Sequence, residues 1–238
     1  MGLVLPRHKD SPLFVRLLYL IRRLPVGSPR RRLRFFLDLV WIFDRFSQEE
    51  SCKIYENVDY PVVRTTLDFL TPLLERDFTV LDVGCANGVH LDSIAQHVNK
   101  AIGIDISSTS IEEAKTNFSR ENLLFEVAEC NGFLNNNSEI YDLICLVHIL
   151  EHLDVPESLL LQLNGRTRYI YVEVPDFEKC ITNRYRQDID TPLVYSDADH
   201  RYEFDRNEMI TLLTKCGFSI HENEYRHGVM RFWCSTLP

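Results

Sequence analysis

The chain has 238 residues, of which 45% are hydrophobic and 26% are charged, as is usual for globular proteins. This length suits one α/β domain with an extension, and the composition excludes disorder on a large scale. The seven cysteines are odd in number and scattered without a C-x-x-C pair, so they suggest neither a disulfide framework nor a zinc ribbon and favour a reducing cytoplasm.

The formal net charge of −9 conceals a basic N-terminal segment. Residues 1–34 contain nine basic side chains and one acidic side chain, so the rest of the chain is strongly acidic. Apolar residues between Leu13 and Ile21 recur at helical spacing, but the run is too short and too charged to span a membrane, and no signal-peptide cleavage site follows. We therefore expect residues 1–50 to form a basic amphipathic helical extension. Residues 1–34 either make peripheral contact with an anionic membrane or pack on the protein's own core.

The next elements follow from the spacing of apolar residues. Helices are predicted over residues 34–46 and Pro61–Leu74, and strands then alternate with helices, which favours a doubly wound parallel sheet. Asn131-Gly132 and residues 135–138 are typical of loops, and residues 176–205, without clear periodicity, are predicted to form a long irregular substrate lid. The predicted strands are 79–83, 101–106, 123–127, 141–147, 169–174, 218–223 and 230–235, and the predicted helices are 89–98, 110–118, 156–163 and 207–216.

The first strand leads into the sequence VLDVGCANGVHL. Small residues at Gly84, Ala86 and Gly88 let the backbone pass close to a ligand, and the following helix presents unpaired N–H groups. A dinucleotide-binding G-x-G-x-x-G turn would need glycine where the chain has Val89. With Asp82 inside the strand, the segment instead resembles the D-x-G-x-G-x-G pattern of class I S-adenosylmethionine-dependent methyltransferases, with alanine in the middle position.

This resemblance implies a Rossmann-like seven-stranded sheet with an antiparallel last strand in residues 51–238, and S-adenosylmethionine as the cofactor. Asp105 ends the second strand, 21 residues beyond Gly84, where a carboxylate can accept hydrogen bonds from both ribose hydroxyls. Glu129 follows the third strand, where the family more usually has an aspartate that accepts from the adenine amino group, and Asp82 is expected to support the methionine amino group. The predicted cofactor-binding residues are Asp82, Gly84, Cys85, Ala86, Gly88, Asp105, Ile106, Glu129, Cys130 and His148.

The fourth strand is followed by His148-Ile-Leu-Glu151-His152, which resembles the LEH segment of small-molecule methyltransferases that O-methylate quinone precursors. H-x-x-E-H is also an inverted zinc-hydrolase motif, but that motif needs a continuous helix, whereas His148 directly follows a buried strand. No metal site is therefore predicted. His152 is a candidate catalytic base, since histidine can accept a proton near neutral pH. It could equally be a packing residue, because methyl transfer can proceed through positioning and desolvation.

A later segment resembles the H…F…LL…GF sequence that closes the same group of methyltransferases. His200, Tyr202 and Phe204 lie in it, and His200 is the second candidate catalytic base, although these residues could equally pack within the lid. Glu173 and Asp176 flank Pro175, where methyltransferases that act on vicinal hydroxyls can bind a divalent metal, but that alternative is the weaker one.

The sequence thus predicts a methyltransferase that transfers the methyl group of S-adenosylmethionine to an oxygen, and less readily to a nitrogen or carbon, of a small molecule or glycan. The acidic body disfavours a nucleic acid partner. A non-catalytic S-adenosylmethionine-binding module that acts through a partner is the alternative. A cytoplasmic location is expected, with membrane contact, if any, through residues 1–34.

Overall fold

One sheet organises the fold. The computed structural model describes residues 27–55, 59–191, 197 and 199–236. The strands are β1 (Thr79–Val83), β2 (Lys100–Asp105), β3 (Leu123–Val127), β4 (Tyr141–Val147), β5 (Thr167–Pro175), β6 (Phe218–Arg226) and β7 (Val229–Thr236). They form a seven-stranded sheet in the order β3-β2-β1-β4-β5-β7-β6.

Strands β1 to β5 run parallel, and β7 pairs antiparallel with both β5 and β6. The strand order reverses between β1 and β4, so the carboxyl ends of these strands open a crevice of the kind in which doubly wound sheets bind ligands. The predicted fold class, a doubly wound Rossmann-like sheet with an antiparallel last strand, is confirmed.

Helices cover both faces of the sheet. They are α1 (Pro29–Ile54), α2 (Pro61–Leu70), α3 (Val89–Ala95), α4 (Ser108–Asn117), α5 (Cys130–Asn136), α6 (Pro156–Leu163), α7 (Ile181–Asp188) and α8 (Arg206–Lys215). On one face, α2, α3 and α4 contribute Leu70, Leu91 and Ile111 to a buried core. On the other face, α6 and α8 contribute Leu160 and Leu213 to a second core. The sheet is thereby shielded from water on both sides, which explains the almost unbroken apolar sequence of β4.

Two local predictions need correction. The Asn131-Gly132 pair was expected in a loop but lies in α5, because the Glu129 carboxylate accepts hydrogen bonds from both backbone N–H groups, at 3.0 and 2.9 Å, and caps the helix. The helix predicted to reach Leu74 ends instead at Leu70 and continues as a 3₁₀ turn, Thr71–Leu73, which contains a proline that cannot donate a helical hydrogen bond.

The predicted irregular lid is partly helical. It contains a 3₁₀ turn, Phe177–Lys179, and helix α7, while residues 192–196 and 198 lie outside the described residues. The buried residues of α7 are the polar Asn183 and Arg186, so the sequence shows no apolar period. Hydrogen bonds compensate part of this burial, since Asn183 donates to the Phe177 carbonyl at 2.7 Å and Arg186 to the Leu37 carbonyl at 3.1 Å.

Helix α1 is longer than the predicted helix over residues 34–46. It starts after Ser28, whose hydroxyl accepts from the Arg31 backbone N–H, and continues through residue 50 to Ile54. The division of the chain at residue 50 stays a prediction. The apolar run between Leu13 and Ile21 lies outside the described residues. Among the helices that are described, none is long and apolar enough to cross a membrane.

Candidate active site

The turn between β1 and α3 carries the small residues singled out in the sequence. Gly84 adopts φ 73° and its N–H donates to the Ile104 carbonyl at 2.8 Å, which ties the turn to β2. Gly88 adopts φ 81°, and a Cβ there would lie 2.6 Å from the Phe125 ring. Ala86 also has a left-handed conformation, at φ 47°, as expected for a position that is glycine in the usual pattern.

Asp105 braces this turn from the end of β2. Its carboxylate accepts hydrogen bonds from the Ala86 N–H at 2.9 Å and from the Ser107 N–H at 2.8 Å. Because each carboxylate oxygen has a further lone pair, the same group can accept from ligand hydroxyls in the cleft that it lines.

Asp82 is a buried carboxylate, 3% exposed, and no basic side chain of the described residues forms an ion pair with it. Burial, and then the negative charge of Asp105, raise its pKa to about 7. His90 faces the same part of the cleft, and its Nε2 is buried without a hydrogen-bond partner in the described structure. A ligand that brings an ammonium group to Asp82 would relieve the cost of burying this carboxylate.

Two adjoining cavities meet at Gly84. One, of about 700 Å³, is lined by Asp105 and Glu129, and the other, of about 690 Å³, is lined by Asp82 and His148. Acidic side chains at or near the carboxyl ends of three neighbouring strands thus surround one turn of small residues. This arrangement suits a ligand with a base, a ribose and an amino acid group.

A family model described as a methyltransferase domain matches residues 55–223. The chain belongs to this methyltransferase family. The class predicted from the sequence is confirmed, and membership of the family indicates S-adenosylmethionine as the cofactor.

Curated relatives match only part of the methyltransferase. The chain is 32% identical over 97 residues to the mitochondrial ubiquinone biosynthesis O-methyltransferase of Candida albicans, which covers 38% of this chain and 29% of the relative. It is 29% identical over 83 residues to the ubiquinone biosynthesis O-methyltransferase of Coxiella burnetii (strain Dugway 5J108-111), covering 34% and 35%. The chain therefore spans about a third of the length of these relatives.

A solved structure supports the fold. Magnesium protoporphyrin IX methyltransferase from Synechocystis PCC 6803 with bound SAH has a TM-score of 0.58 and 17% identity, and the match covers 74% of this chain and 82% of that one. At this identity the likeness concerns the fold alone.

In the methyltransferase domain, His148 follows β4 with a left-handed φ of 54°. Its Nδ1 lies 3.0 Å from Glu151 Oε1, and its Nε2 lies 3.5 Å from Glu173 Oε1. Burial opposes protonation, but the two carboxylates outweigh it and raise the pKa of His148 to about 9. His148 is therefore an imidazolium at neutral pH, held between two acids beside the Asp82 half of the cleft.

Glu173 lies at the centre of a buried network that sequence reasoning missed. Its carboxylate accepts hydrogen bonds from Arg231 Nε at 2.8 Å, Tyr171 OH at 2.5 Å and the Thr66 hydroxyl at 2.9 Å. Although burial opposes ionisation, the bonds from His148 and Arg231 hold the pKa of Glu173 well below its usual range. Because Glu173 is committed to these partners, it is not favoured as a metal ligand.

His152 and His200, the two candidate catalytic bases, lie side by side. Their ring centroids are 4.8 Å apart in an edge-to-face arrangement. His152 is about one third exposed and lines the same cavity as Asp105, whereas the side chain of His200 is 7% exposed and its Nδ1 lies 3.2 Å from Glu203 Oε1. Burial opposes protonation of His200, but the hydrogen bond that it donates to the Glu203 carboxylate outweighs burial and raises the pKa of His200.

A metal could be held at one cluster of the described residues. Glu151, His152 and His200 offer ligand atoms that all lie within 4.8 Å of one another, and Glu151 Oε2 is buried without a hydrogen-bond partner. The zinc-hydrolase geometry is not formed, because His148 is left-handed and only Leu150–His152 form a 3₁₀ turn. That the site binds no metal stays a prediction.

Most predicted cofactor residues line the two cavities, whereas Gly88 lies behind the turn as the N-cap of α3. The structure adds wall residues that were not predicted: Tyr55 after α1 and Tyr60 before α2 in the Asp82 cavity, and Ile149 in the Asp105 cavity, whose side chain a Cβ at Gly84 would overlap. The predicted residues lining the cavities are Gly84, Asp105, Ile106, Glu129, Cys130 and His152 in one, and Asp82, Gly84, Cys85, Ala86 and His148 in the other.

Proposed function

We propose that the protein transfers the methyl group of S-adenosylmethionine to a hydroxyl oxygen of a small molecule or glycan. The observation that carries this proposal is the convergence of Asp82, Asp105 and His152 on adjoining cavities that meet at the glycine turn. The names of the curated relatives, which are O-methyltransferases, support oxygen over nitrogen or carbon as the acceptor atom.

The residues of the cleft fit the cofactor. Asp82, a buried carboxylate without a basic partner among the described residues, is assigned to the methionine ammonium group. Asp105 is assigned to the ribose hydroxyls. Glu129 is exposed, lines the same cavity as Asp105 and is assigned to the adenine amino group. When bound, S-adenosylmethionine supplies an electrophilic methyl group on a sulfonium.

His152 is assigned as the group that accepts the hydroxyl proton. It lies on the cavity wall and its ring is partly exposed, so an acceptor hydroxyl can reach it. His200 is less suited to this step, because its side chain is only 7% exposed and is bonded to Glu203, and we assign it to positioning the His152 ring.

The walls beside His152 indicate the acceptor's character. Ile149, Leu153 and Val155 line the cavity, which suits an apolar ring or chain that carries a hydroxyl group. The acidic Asp154 and Asp199 at the same cavity would repel the negatively charged phosphodiester backbone of a nucleic acid, in keeping with the expectation that nucleic acid is not the acceptor.

Two experiments test the proposal. Isothermal titration with S-adenosylmethionine and with S-adenosylhomocysteine should show binding of both, and absence of binding would contradict the cofactor assignment. Labelled cofactor incubated with a cell extract should then transfer label to a small metabolite or glycan. Binding without any transfer would favour the non-catalytic module, and label in RNA would refute the acceptor class.

A His152→Ala variant tests the base. Cofactor affinity should be retained, whereas turnover should fall by roughly 10² to 10⁴, the usual contribution of a general base. His221→Ala, an exposed histidine on β6, is the matched control and should leave turnover unchanged. If a chelator abolishes wild-type turnover and added zinc or magnesium restores it, His152 acts as a metal ligand and its assignment as the base is wrong.

A further inference from the structure

Helix α1 exposes an apolar face that no described element covers. Its exposed side chains between Leu33 and Phe46 include four phenylalanines, with Phe43 61% exposed and Phe35 58% exposed. The rings lie in edge-to-face pairs, Phe35 with Phe36 and Phe43 with Phe46, at 5.6 and 6.3 Å between centroids. Contiguous apolar surface of this kind on a folded protein marks an interaction site.

The orientation of α1 is fixed by polar bonds on its opposite face. Arg186 donates to the Leu37 carbonyl at 3.1 Å, and Arg45 pairs with Asp197 at 2.6 Å. The side chain of Leu37, on the inward face of α1, is buried. Turning α1 to hide its aromatic face would break these bonds, so the phenylalanines remain outward.

The sequence that begins α1 and precedes it is basic. Helix α1 begins with four arginines in six positions, and acidic side chains are absent from its sequence before Asp38. Over residues 1–34 the excess of basic side chains is eight, in a chain whose net charge is −9. A lipid surface rich in anionic headgroups can match such charge anywhere along its length, whereas a protein partner would need acids at matching positions.

We propose that the outward face of α1 docks the protein on anionic lipid bilayers, with its aromatic side chains in the interface and the exposed arginines of its first two turns among the headgroups. The helix lies along the surface, as amphipathic helices with an apolar face and basic flanks do. This docking is independent of methyl transfer, so the two proposals can fail separately.

Vesicle flotation with the full chain tests the docking. The protein should float with vesicles rich in phosphatidylserine but not with phosphatidylcholine alone, and high salt should weaken binding. Phe43→Asp should lower the bound fraction at limiting lipid by at least about tenfold, because a buried aromatic contact is replaced by a repelled charge. Ile140→Asp, at a residue that is 69% exposed before β4, is the matched control and should float like the wild type.

A second variant keeps the test decisive if Phe43→Asp does not fold. Arg31→Glu, on the exposed side of α1, should weaken binding to the anionic vesicles while S-adenosylmethionine binding stays unchanged. Failure of the wild type to float, or equal flotation of wild type and both variants, would refute docking.

Two other occupants of the aromatic face would give different results. If Phe43→Asp halves the mass in light scattering, a second copy covers the face and the lipid proposal is wrong. If the wild type does not float and Phe43→Asp lowers the melting temperature, the N-terminal segment of the chain covers it, with the same consequence.

Discussion

Replacing Asp82 by Asn should weaken the binding of the cofactor's ammonium group and at the same time raise the stability of the ligand-free protein. Asp82 has a pKa of about 7 against an ordinary value of 3.8, mainly because it is buried. An ammonium ligand requires the ionised carboxylate, so binding below pH 7 must first remove a proton. Each pH unit below the pKa costs about 1.4 kcal/mol, so affinity for S-adenosylmethionine should fall about 30-fold between pH 8 and about pH 5.5.

Isothermal titration over that pH range measures the effect. Wild-type protein should show the pH slope, and Asp82→Asn should bind more weakly at pH 8 with a nearly flat profile. Methylthioadenosine, which has the base and ribose but lacks the amino acid group, should show no slope in either protein. His148 adds no slope because its pKa of about 9 keeps it charged throughout. Equal pH slopes in wild type and variant would refute the assignment of Asp82.

The same substitution should stabilise the ligand-free protein. Folding raises the pKa of Asp82, so between about pH 4 and pH 7 the carboxyl group is ionised in the unfolded state but still protonated in the native state. The native state therefore becomes less stable relative to the unfolded state as pH rises through this range. The penalty at pH 8 reaches at most about 4 kcal/mol at 1.4 kcal/mol per pH unit. Asp82→Asn should therefore raise the melting temperature by several degrees at pH 8 and by little at pH 4. Lower affinity together with higher stability is the signature of a group retained for binding.

Two further predictions concern the framework of the site. Arg231→Met should cost up to about 3–5 kcal/mol of unfolding free energy in urea, because it removes the closest cationic partner of the buried Glu173 carboxylate and leaves only His148 as a charged partner among the described residues, and adding Glu173→Gln should recover part of that loss. No recovery in the double variant would argue against the charge explanation. Gly88→Ala should destabilise the protein more than Gly165→Ala, since both glycines have φ near 80° but only at Gly88 would the new Cβ lie 2.6 Å from Phe125. Equal losses would show that backbone strain alone accounts for both.

The sequence predicts which acidic side chains line the two cavities better than it predicts the rest of the candidate site. Asp82, Asp105 and Glu129 lie near one another because parallel strands end at one edge of the sheet, so residues near the ends of successive strands meet there whatever the details of packing. The partnership of Glu173 with Arg231 could not be found in this way. It depends on the register of the antiparallel β5–β7 pair, which places the two residues opposite each other and which no local pattern encodes.

Helix α1 shows the other limit of pattern reasoning. Its apolar spacing predicts a helix correctly, but residues on opposite faces, such as Leu37 and Phe43, are equally apolar, so the pattern cannot tell which face is inward. Polar contacts between α1 and the insertion that also carries His200 decide it: Arg186 of the insertion donates to the Leu37 carbonyl, and Arg45 of α1 donates to Asp197. Because Asp199, two residues beyond Asp197, lines the candidate acceptor cavity, helix α1 is bonded to the same segment of chain that contributes to the wall of this cavity.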